Sequence, residues 1–271
     1  MPDSHLSSHP NPPLVFITGA SSGIGQALAL AYYQRGCNLA LVARRREPMQ
    51  QWLQEQGLDP QRVLTYAANV DQIDSIGDAA RQCLVQQGLP DVVIANAGVS
   101  IGVDTAERED LDVMQQVVTT NLLGLAYTFH PFLKPMRQRG TGTLVGITSV
   151  AGIRGLPGHG AYSASKSGAI SFCESLRVEL RGTGVTCVTI VPGYVATPLT
   201  QDNTYAMPFI LSAQEFAQRA LRVIDRRSSY SVIPWQMAGV AWLLKLLPNA
   251  IYDFAVAGRK RKHRHSEVAS T

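Results

Sequence analysis

Six short apolar runs, five of them followed by helical periodicity, limit more than any other feature how this chain can fold. They are LVFIT from Leu14, NLALVAR from Asn38, RVLTYAANV from Arg62, DVVIANAG from Asp91, GTLVGITS from Gly142 and VTCVTIVPG from Val185. The runs are rich in β-branched residues and lack clean apolar–polar alternation. A strand wetted on one side alternates, because successive side chains point to opposite faces. A near-continuous apolar strand is buried on both faces, as in a parallel sheet covered by helices. Between the runs, QALALAYYQRG and IDSIGDAARQCLVQQG show helical spacing. REPMQQWLQEQ carries Pro48 near its start, where a helix tolerates proline. Residues 111–140 and 161–184 read as two long helical stretches. The expectation is an α/β fold, a single doubly wound parallel sheet with helices on both faces.

Such a sheet binds its ligand beyond the carboxyl ends of the strands. Gly19, Arg44, Asn96, Ser149 and Pro192 each follow a run and fall at that edge. The first turn reads Thr18-Gly19-Ala20-Ser21-Ser22-Gly23-Ile24-Gly25. A turn this tight, with close approach to a pyrophosphate, needs residues without Cβ. The helix that begins there offers unpaired N–H groups to an anion. The spacing is GxxxGxG rather than GxGxxG. A plain strand–turn–helix also uses glycines, but after the first strand of an alternating chain they point to a dinucleotide and to a Rossmann-type sheet.

TGASSGIG resembles, residue for residue, the glycine motif of the short-chain dehydrogenase/reductase family. The resemblance covers about residues 14–200 and rests on several separated motifs. It implies an NAD(P)-dependent oxidoreductase whose cofactor lies on Gly19, Ser21, Ser22, Gly23, Ile24 and Gly25. In such folds an acidic residue after the second strand binds the ribose 2′-hydroxyl of NAD, and an arginine accommodates the 2′-phosphate of NADP. This chain has Ala43-Arg44-Arg45-Arg46, with Glu47 the nearest carboxylate. Guanidinium suits a phosphate, so Arg44 points to NADP(H), with NAD(H) the alternative cofactor and a solvated basic turn the competing reading. Asn69-Val70 stands where the family usually has Asp-Val beside the adenine; an amide still hydrogen-bonds there. Asn96-Ala97-Gly98 matches the end of the family's NNAG segment, with Ala95 in place of its first Asn. By resemblance the segment lines the cofactor and braces the sheet.

Tyr162 and Lys166 are four residues apart in AYSASKSGA and share a helix face. A phenol titrates near 10, and a neighbouring ammonium favours the phenolate. The pair can then exchange a proton with a substrate oxygen. Alone, YxxxK is a common helical coincidence; its weight comes from the glycine loop and from Ser149. The Ser149 hydroxyl suits a developing alkoxide; adjacent Thr148 is the competing hydroxyl, since neighbouring strand residues face opposite ways and only one faces the site, and the resemblance selects Ser149. Asn121, in VTTNLLG, matches the family's fourth catalytic residue, which holds a relay water beside the lysine; its competing reading is a helix-kinking polar residue. Pro192-Gly193-Tyr194-Val195-Ala196-Thr197 matches the PG motif and the threonine that contacts the nicotinamide, which adds Pro192, Gly193, Val195 and Thr197, with Tyr162 and Lys166, to the cofactor set. Residues after Thr197, including Thr204, Tyr205, Met207 and Phe209, form an expected apolar substrate lid. His159 faces either the substrate or a mobile exposed loop.

The implied reaction is hydride transfer between nicotinamide and a carbonyl carbon, with Tyr162 as acid/base, Lys166 lowering the tyrosine pKa and a hydrophobic ketone or aldehyde as substrate. The contrasting class is a catalytically idle NADPH-binding sensor or scaffold, which predicts a damaged tetrad. Family resemblance implies a homodimer or homotetramer. The family's extended branch has GxxGxxG spacing and a second lobe, and this chain shows neither.

The rest of the 271 residues divide by composition. Residues 1–12 are polar, without a cationic start and apolar run, and read as a disordered tail rather than a signal peptide. Residues 13–231 form the catalytic domain. Residues 232–258 are an apolar helical extension with Trp235 and Trp242, and residues 259–271 a basic disordered tail. RKRKHRH at 259–265 holds five of the Lys and Arg, so a net charge of +4 leaves −1 for everything else. A nucleic-acid-binding body is therefore not expected. Cys37, Cys83, Cys173 and Cys187 are scattered, which suggests no metal site and a reduced, cytoplasmic setting. The extension is too short to span a bilayer. It packs over the substrate pocket, forms a dimer contact, or touches a membrane peripherally with Trp and the basic tail.

Overall fold

Strand β1 (Leu14–Thr18) is buried at all five positions, and its side chains feed two separate cores. Val15 and Ile17 join Leu28, Leu39, Leu41 and Phe216 on one face. Leu14 and Phe16 join Val42, Phe129 and Phe132 on the other, with the Phe16 and Phe132 ring centroids 4.8 Å apart. Burial on both faces is why these runs read as continuously apolar.

The computed structural model describes residues 12–201, 203, 206–258, 261, 262 and 264. The expected N-terminal tail, Pro12 apart, lies outside the described residues, as do Thr204 and Tyr205 of the expected lid. The other expected strands form as β2 (Asn38–Ala43), β3 (Val63–Ala67), β4 (Val92–Ala95), β5 (Gly142–Ile147) and β6 (Val185–Pro192), and a further one, β7, spans Tyr230–Ile233. The order is β3-β2-β1-β4-β5-β6-β7, every pair parallel. The chain reverses direction across the sheet between β1 and β4, and a crevice opens there at the carboxyl ends. This is the expected doubly wound Rossmann-type sheet.

Helices α1 (Gly23–Gln34), α2 (Glu47–Glu55) and α7 (Ala213–Asp225) cover one face. Helices α3 (Ile73–Gln86), α5 (Gly124–Arg139) and α6 (Gly160–Glu179) cover the other. The expected long helix over 111–140 is interrupted. Helix α4 (Arg108–Val118) passes into a π turn, Thr119–Leu123, before α5 begins. The wider turn sits where Asn121 is buried to 1% exposure and where a Cβ on Gly124 would lie 3.0 Å from Val70. Helix α7 is an element that apolar runs alone do not announce. Its start is a capping box, with Ser212 Oγ accepting from Glu215 N at 3.1 Å and Glu215 Oε2 accepting from Ser212 N at 3.0 Å.

The carboxyl-terminal boundaries shift. The expected break at 231/232 cuts β7, whose Val232 and Ile233 pair with Val191 and Pro192. This edge strand is only four residues long and half-exposed, so its apolar end blends into the extension that follows. The extension itself folds as α8 (Trp235–Leu246) and α9 (Asn249–Val256). Nor are the described tail residues free solvated cations. Arg261 pairs with Asp104 at 3.1 Å and Arg264 Nε with Asp110 at 2.7 Å, while Lys262 Nζ donates to Asn203 Oδ1 at 2.7 Å. Carboxylates and an amide on the body hold them, a pairing that a basic run viewed in isolation does not reveal.

Candidate active site

A cavity of about 260 Å³ opens along the carboxyl edge of the sheet, from the glycine loop to Tyr162. At one end, Gly19 has φ +65° and a Cβ there would lie 2.7 Å from Ala97 Cα. On Gly25 a Cβ would fall 2.2 Å from Gly19 O. Both positions demand glycine, and together they fold the loop back against β4. Asn96 fixes the arrangement: its Nδ2 donates to Thr18 O and Gly19 O, each at 3.1 Å. Asn96 is thus a brace for the phosphate loop as well as part of the cavity lining.

Helix α1 starts at this loop without a side-chain cap on Ser22 and without an acidic residue in its first turn. Its amino-terminal N–H groups and positive dipole end are left for an anion. Arg44, exposed after β2, lines the same end, while the neighbouring Arg46 is used elsewhere, donating to Thr65 Oγ1 at 2.8 Å. Asp71 also lines the cavity, and its buried Oδ1 has no hydrogen-bond partner. An uncapped helix start, a guanidinium and an orphaned acceptor in one groove fit the phosphates and polar base of a dinucleotide. Asn69 holds the approach in shape, its Oδ1 accepting from Asp71 N at 3.3 Å.

At the other end the β5 terminus and α6 bring the reactive groups together. Ser149 caps a short 3-10 turn, its Oγ accepting from Ala151 N at 3.2 Å, and it lines the cavity together with Tyr162. Burial pushes the Tyr162 phenol above its ordinary value, and the nearby Ser149 hydroxyl works against that rise. Lys166 is 4% exposed, and its Nζ donates to Ile147 O at 3.0 Å. Burial lowers its ammonium to about 8, and Nζ lies 5.9 Å from the Tyr162 ring centroid. Burial, and not the Lys166 charge, sets the direction of this shift.

Asn121 is placed differently. It does not line the cavity. Its amide brackets Val99, accepting from Val99 N at 2.8 Å and donating to Val99 O at 2.9 Å, and reaches Ser165 Oγ at 3.0 Å. A Cβ on Gly98 would meet Asn121 Oδ1 at 3.0 Å and Lys166 Nζ at 3.4 Å. Asn121 thus clamps the loop beside the lysine. Gly25 is likewise behind the cavity wall. The remaining expected residues, Ser21, Ser22, Gly23, Ile24, Val70, Ala97, Gly98, Pro192, Gly193, Val195 and Thr197, all line it.

Sequence reasoning missed Asp71 and Val99, which line the cavity too, alongside Leu199 and Thr200 of the expected lid. Asp71 sits one residue past Asn69-Val70, a carboxylate close enough to that motif to have been weighed. Thr200 Oγ1 donates to Val195 O at 2.7 Å and knots the lid entrance. His159 is buried, not in an exposed loop; Nδ1 lies 3.1 Å from Pro157 O, and desolvation lowers its pKa. Among the described residues no group of three or more His, Cys, Asp or Glu is placed to hold a metal.

Fold and site together define an oxidoreductase of the Rossmann type. Residues 13–207 match the family model for short chain dehydrogenase, and the chain belongs to the short-chain dehydrogenase/reductase family. It is 38% identical over 239 residues to an uncharacterised oxidoreductase of Myxococcus xanthus, covering 88% of this chain and 94% of that one. Among solved structures, a short chain dehydrogenase/reductase from Burkholderia phymatum in complex with NAD superposes with TM-score 0.78 at 22% identity, covering 92% and 96%. An actinorhodin polyketide ketoreductase variant with NADPH superposes with TM-score 0.73 at 27% identity, covering 82% and 95%.

Proposed function

We propose that the protein reduces a hydrophobic ketone or aldehyde with NADPH. The observation that carries this reading is that Ser149, Tyr162 and Lys166 line one cavity that runs on to the glycine loop. The uncapped α1 and Arg44 hold the phosphates, Arg44 gripping a 2′-phosphate, and Asn69, Val70 and Asp71 receive the adenine end. Pro192, Gly193, Val195 and Thr197 flank the nicotinamide end. When bound, the cofactor supplies hydride to the carbonyl carbon. Ser149 Oγ orients the carbonyl oxygen, and Tyr162 gives that oxygen its proton. A phenol kept protonated by burial is in the form that donates, which suits the reductive direction. Lys166 would hold the nicotinamide ribose, its Nζ lying beside the Gly98 loop that Asn121 clamps.

Leu199 in the cavity wall and Met207 and Phe209 beyond it support an apolar substrate. A homodimer or homotetramer is supported by Leu111, Leu123 and Val178, exposed on α4, the π turn and α6; light scattering on the full chain tests it. Peripheral contact with a lipid surface is supported by the exposed Trp235, Trp242, Leu243, Leu246, Ile251 and Phe254 on α8 and α9. Among the described residues no helix is long and apolar enough to cross a membrane. The proposed setting is cytoplasmic, with liposome flotation testing surface attachment.

The test of the function is NADPH oxidation over a chemically varied carbonyl panel, with NADH in parallel. Turnover with NADPH favoured, and that preference reversed by Arg44→Asp, supports the reading. Equal efficiency with both cofactors removes the NADP(H) claim, and no turnover with any carbonyl favours the idle NADPH-binding alternative.

A further inference from the structure

The cavity's outer rim is made of three loops from different parts of the chain. One runs from Gly98 to the start of α4, one from β5 to α6, and one holds Leu199 and Asn203. Arg261, Lys262 and Arg264 between them touch all three. Arg264 Nε donates to Asp110 Oδ2 at 2.7 Å, and Nη2 reaches Asp110 Oδ1 and Glu109 Oε1, each at 3.3 Å. Asp110 is 2% exposed, and its Oδ2 also accepts from Asp104 N at 2.7 Å. One carboxylate therefore ties the strap to the first loop and shapes that loop. Arg264 also forms an isolated parallel bridge with Gly102, and Arg261 pairs with Asp104.

On the second loop, a Cβ on Gly158 would meet Arg261 Cβ and Lys262 N, each at 3.0 Å. The strap therefore lies directly on backbone, one residue before His159. On the third loop, Lys262 Nζ donates to Asn203 Oδ1 at 2.7 Å and lies 3.5 Å from Leu199 O. Leu199 and Val99 are both cavity residues. Helices α8 and α9, which precede these residues in the chain, dock on the second loop as well. Arg154 donates to Leu247 O at 2.7 Å and Asn249 Oδ1 at 3.1 Å and lies over the Tyr252 ring, while Tyr252 Oη donates to Gly155 O.

We propose that Arg261, Lys262 and Arg264 form a strap that fixes the three rim loops against one another and so sets the width of the substrate entrance. Asp104, Asp110 and Asn203 are its receptors on the body. These are positioning and specificity-determining residues; the chemistry stays with Tyr162 and Ser149. The specificity half of the proposal rests on the carbonyl-reductase reading above, whereas the clamping of the loops does not. A strap of this kind loosens the entrance when a cation is lost, without touching the cofactor groove around Gly19 and Arg44. It therefore separates substrate binding from cofactor binding.

The test uses the full chain with NADPH bound. Arg264→Ala and Lys262→Ala are compared with wild type by amide hydrogen exchange over 99–104 and 199–203. Losing a charged hydrogen bond predicts exchange about tenfold faster in those loops, with α1 and β1 unchanged. In kinetics, KM for the carbonyl substrate rises by about tenfold while KM for NADPH and kcat hold, the mark of lost substrate binding alone. The ranking of the panel shifts toward bulkier substrates, and Arg264→Lys recovers most of the effect. Unchanged exchange at both loops overturns the proposal. So does an equal rise in both KM values, which marks general loosening. If Arg264→Ala does not fold, Lys262→Ala and Arg261→Ala carry the same readouts. A wild type inert toward every carbonyl, yet showing the exchange change, retires the reductase reading and leaves the strap supported.

Discussion

Replacing Asn121 by alanine removes an amide that serves two backbone groups of Val99 and the hydroxyl of Ser165. Ser165 keeps its donation to Tyr162 O at 2.8 Å, so the loss falls on Val99. Its N–H and C=O are then left without partners in a half-buried loop, each costing about 1–3 kcal/mol. At the low end of that range for partial burial, and with the small cavity left behind, the sum is about 3 kcal/mol. For a chain of this size that corresponds to a melting temperature lower by roughly 6–12 °C. The consequence for activity follows from Gly98, which packs between Asn121 and Lys166. Releasing the loop misplaces the lysine end of the site, and a displacement near 1 Å costs about 100-fold in rate. Asn121→Asp keeps an acceptor for Val99 N but sets a carboxylate oxygen against Val99 O, so it is no more stable than Asn121→Ala. Thermal melts by circular dichroism, with NADPH oxidation on the same samples, check both parts. An unchanged melting temperature, or full activity in Asn121→Ala, refutes the reasoning.

Lys166 carries a stability signature with a definite sign. Burial lowers its pKa from 10.5 to about 8, so between those values the unfolded chain binds more protons than the folded one, and stability rises with pH. Burying the ammonium costs about 3 kcal/mol below pH 8, a cost relieved toward pH 10.5. Urea melts of the cofactor-free protein should show wild type gaining that much on Lys166→Met across the window; parallel profiles contradict it. Gly25→Ala drives a Cβ to within 2.2 Å of Gly19 O, an overpacking worth about 1–3 kcal/mol, and weakens NADPH binding in fluorescence titrations. Gly77→Ala in α3 has open space around it and should instead stabilise the protein by about 0.5–1 kcal/mol; a loss of stability there contradicts the helix environment described.

Much of the fold was legible because parallel strands buried on both faces leave an unbroken apolar trace, as LVFIT and NLALVAR do. Strand β7 left a weaker one. Tyr230–Ile233 is short and lies at an edge, so only its last residue is fully buried. Helix α7 was missed although Ser212 and Glu215 stand at capping-box spacing, a signal that weighing apolar runs alone passes over. The placement of candidate residues was legible at strand ends for Gly19 and Ser149 and from i, i+4 spacing on one helix for Tyr162 and Lys166. Two things were not. The direction of the Tyr162 shift is set first by burial, which spacing does not measure. The docking of Arg264 on Asp110 joins residues 154 positions apart, and nothing local in RKRKHRH identifies its acidic partners.

The central claim is that the Tyr162 phenol delivers the proton during hydride transfer from NADPH. Single-turnover oxidation of NADPH by wild type and Tyr162→Phe, with a carbonyl that wild type reduces, tests it most directly. The phenylalanine variant should bind NADPH with unchanged affinity and lose about 100- to 10,000-fold in the rate of the chemical step. A folded Tyr162→Phe protein that binds NADPH and reduces the carbonyl at the wild-type rate would contradict the assignment.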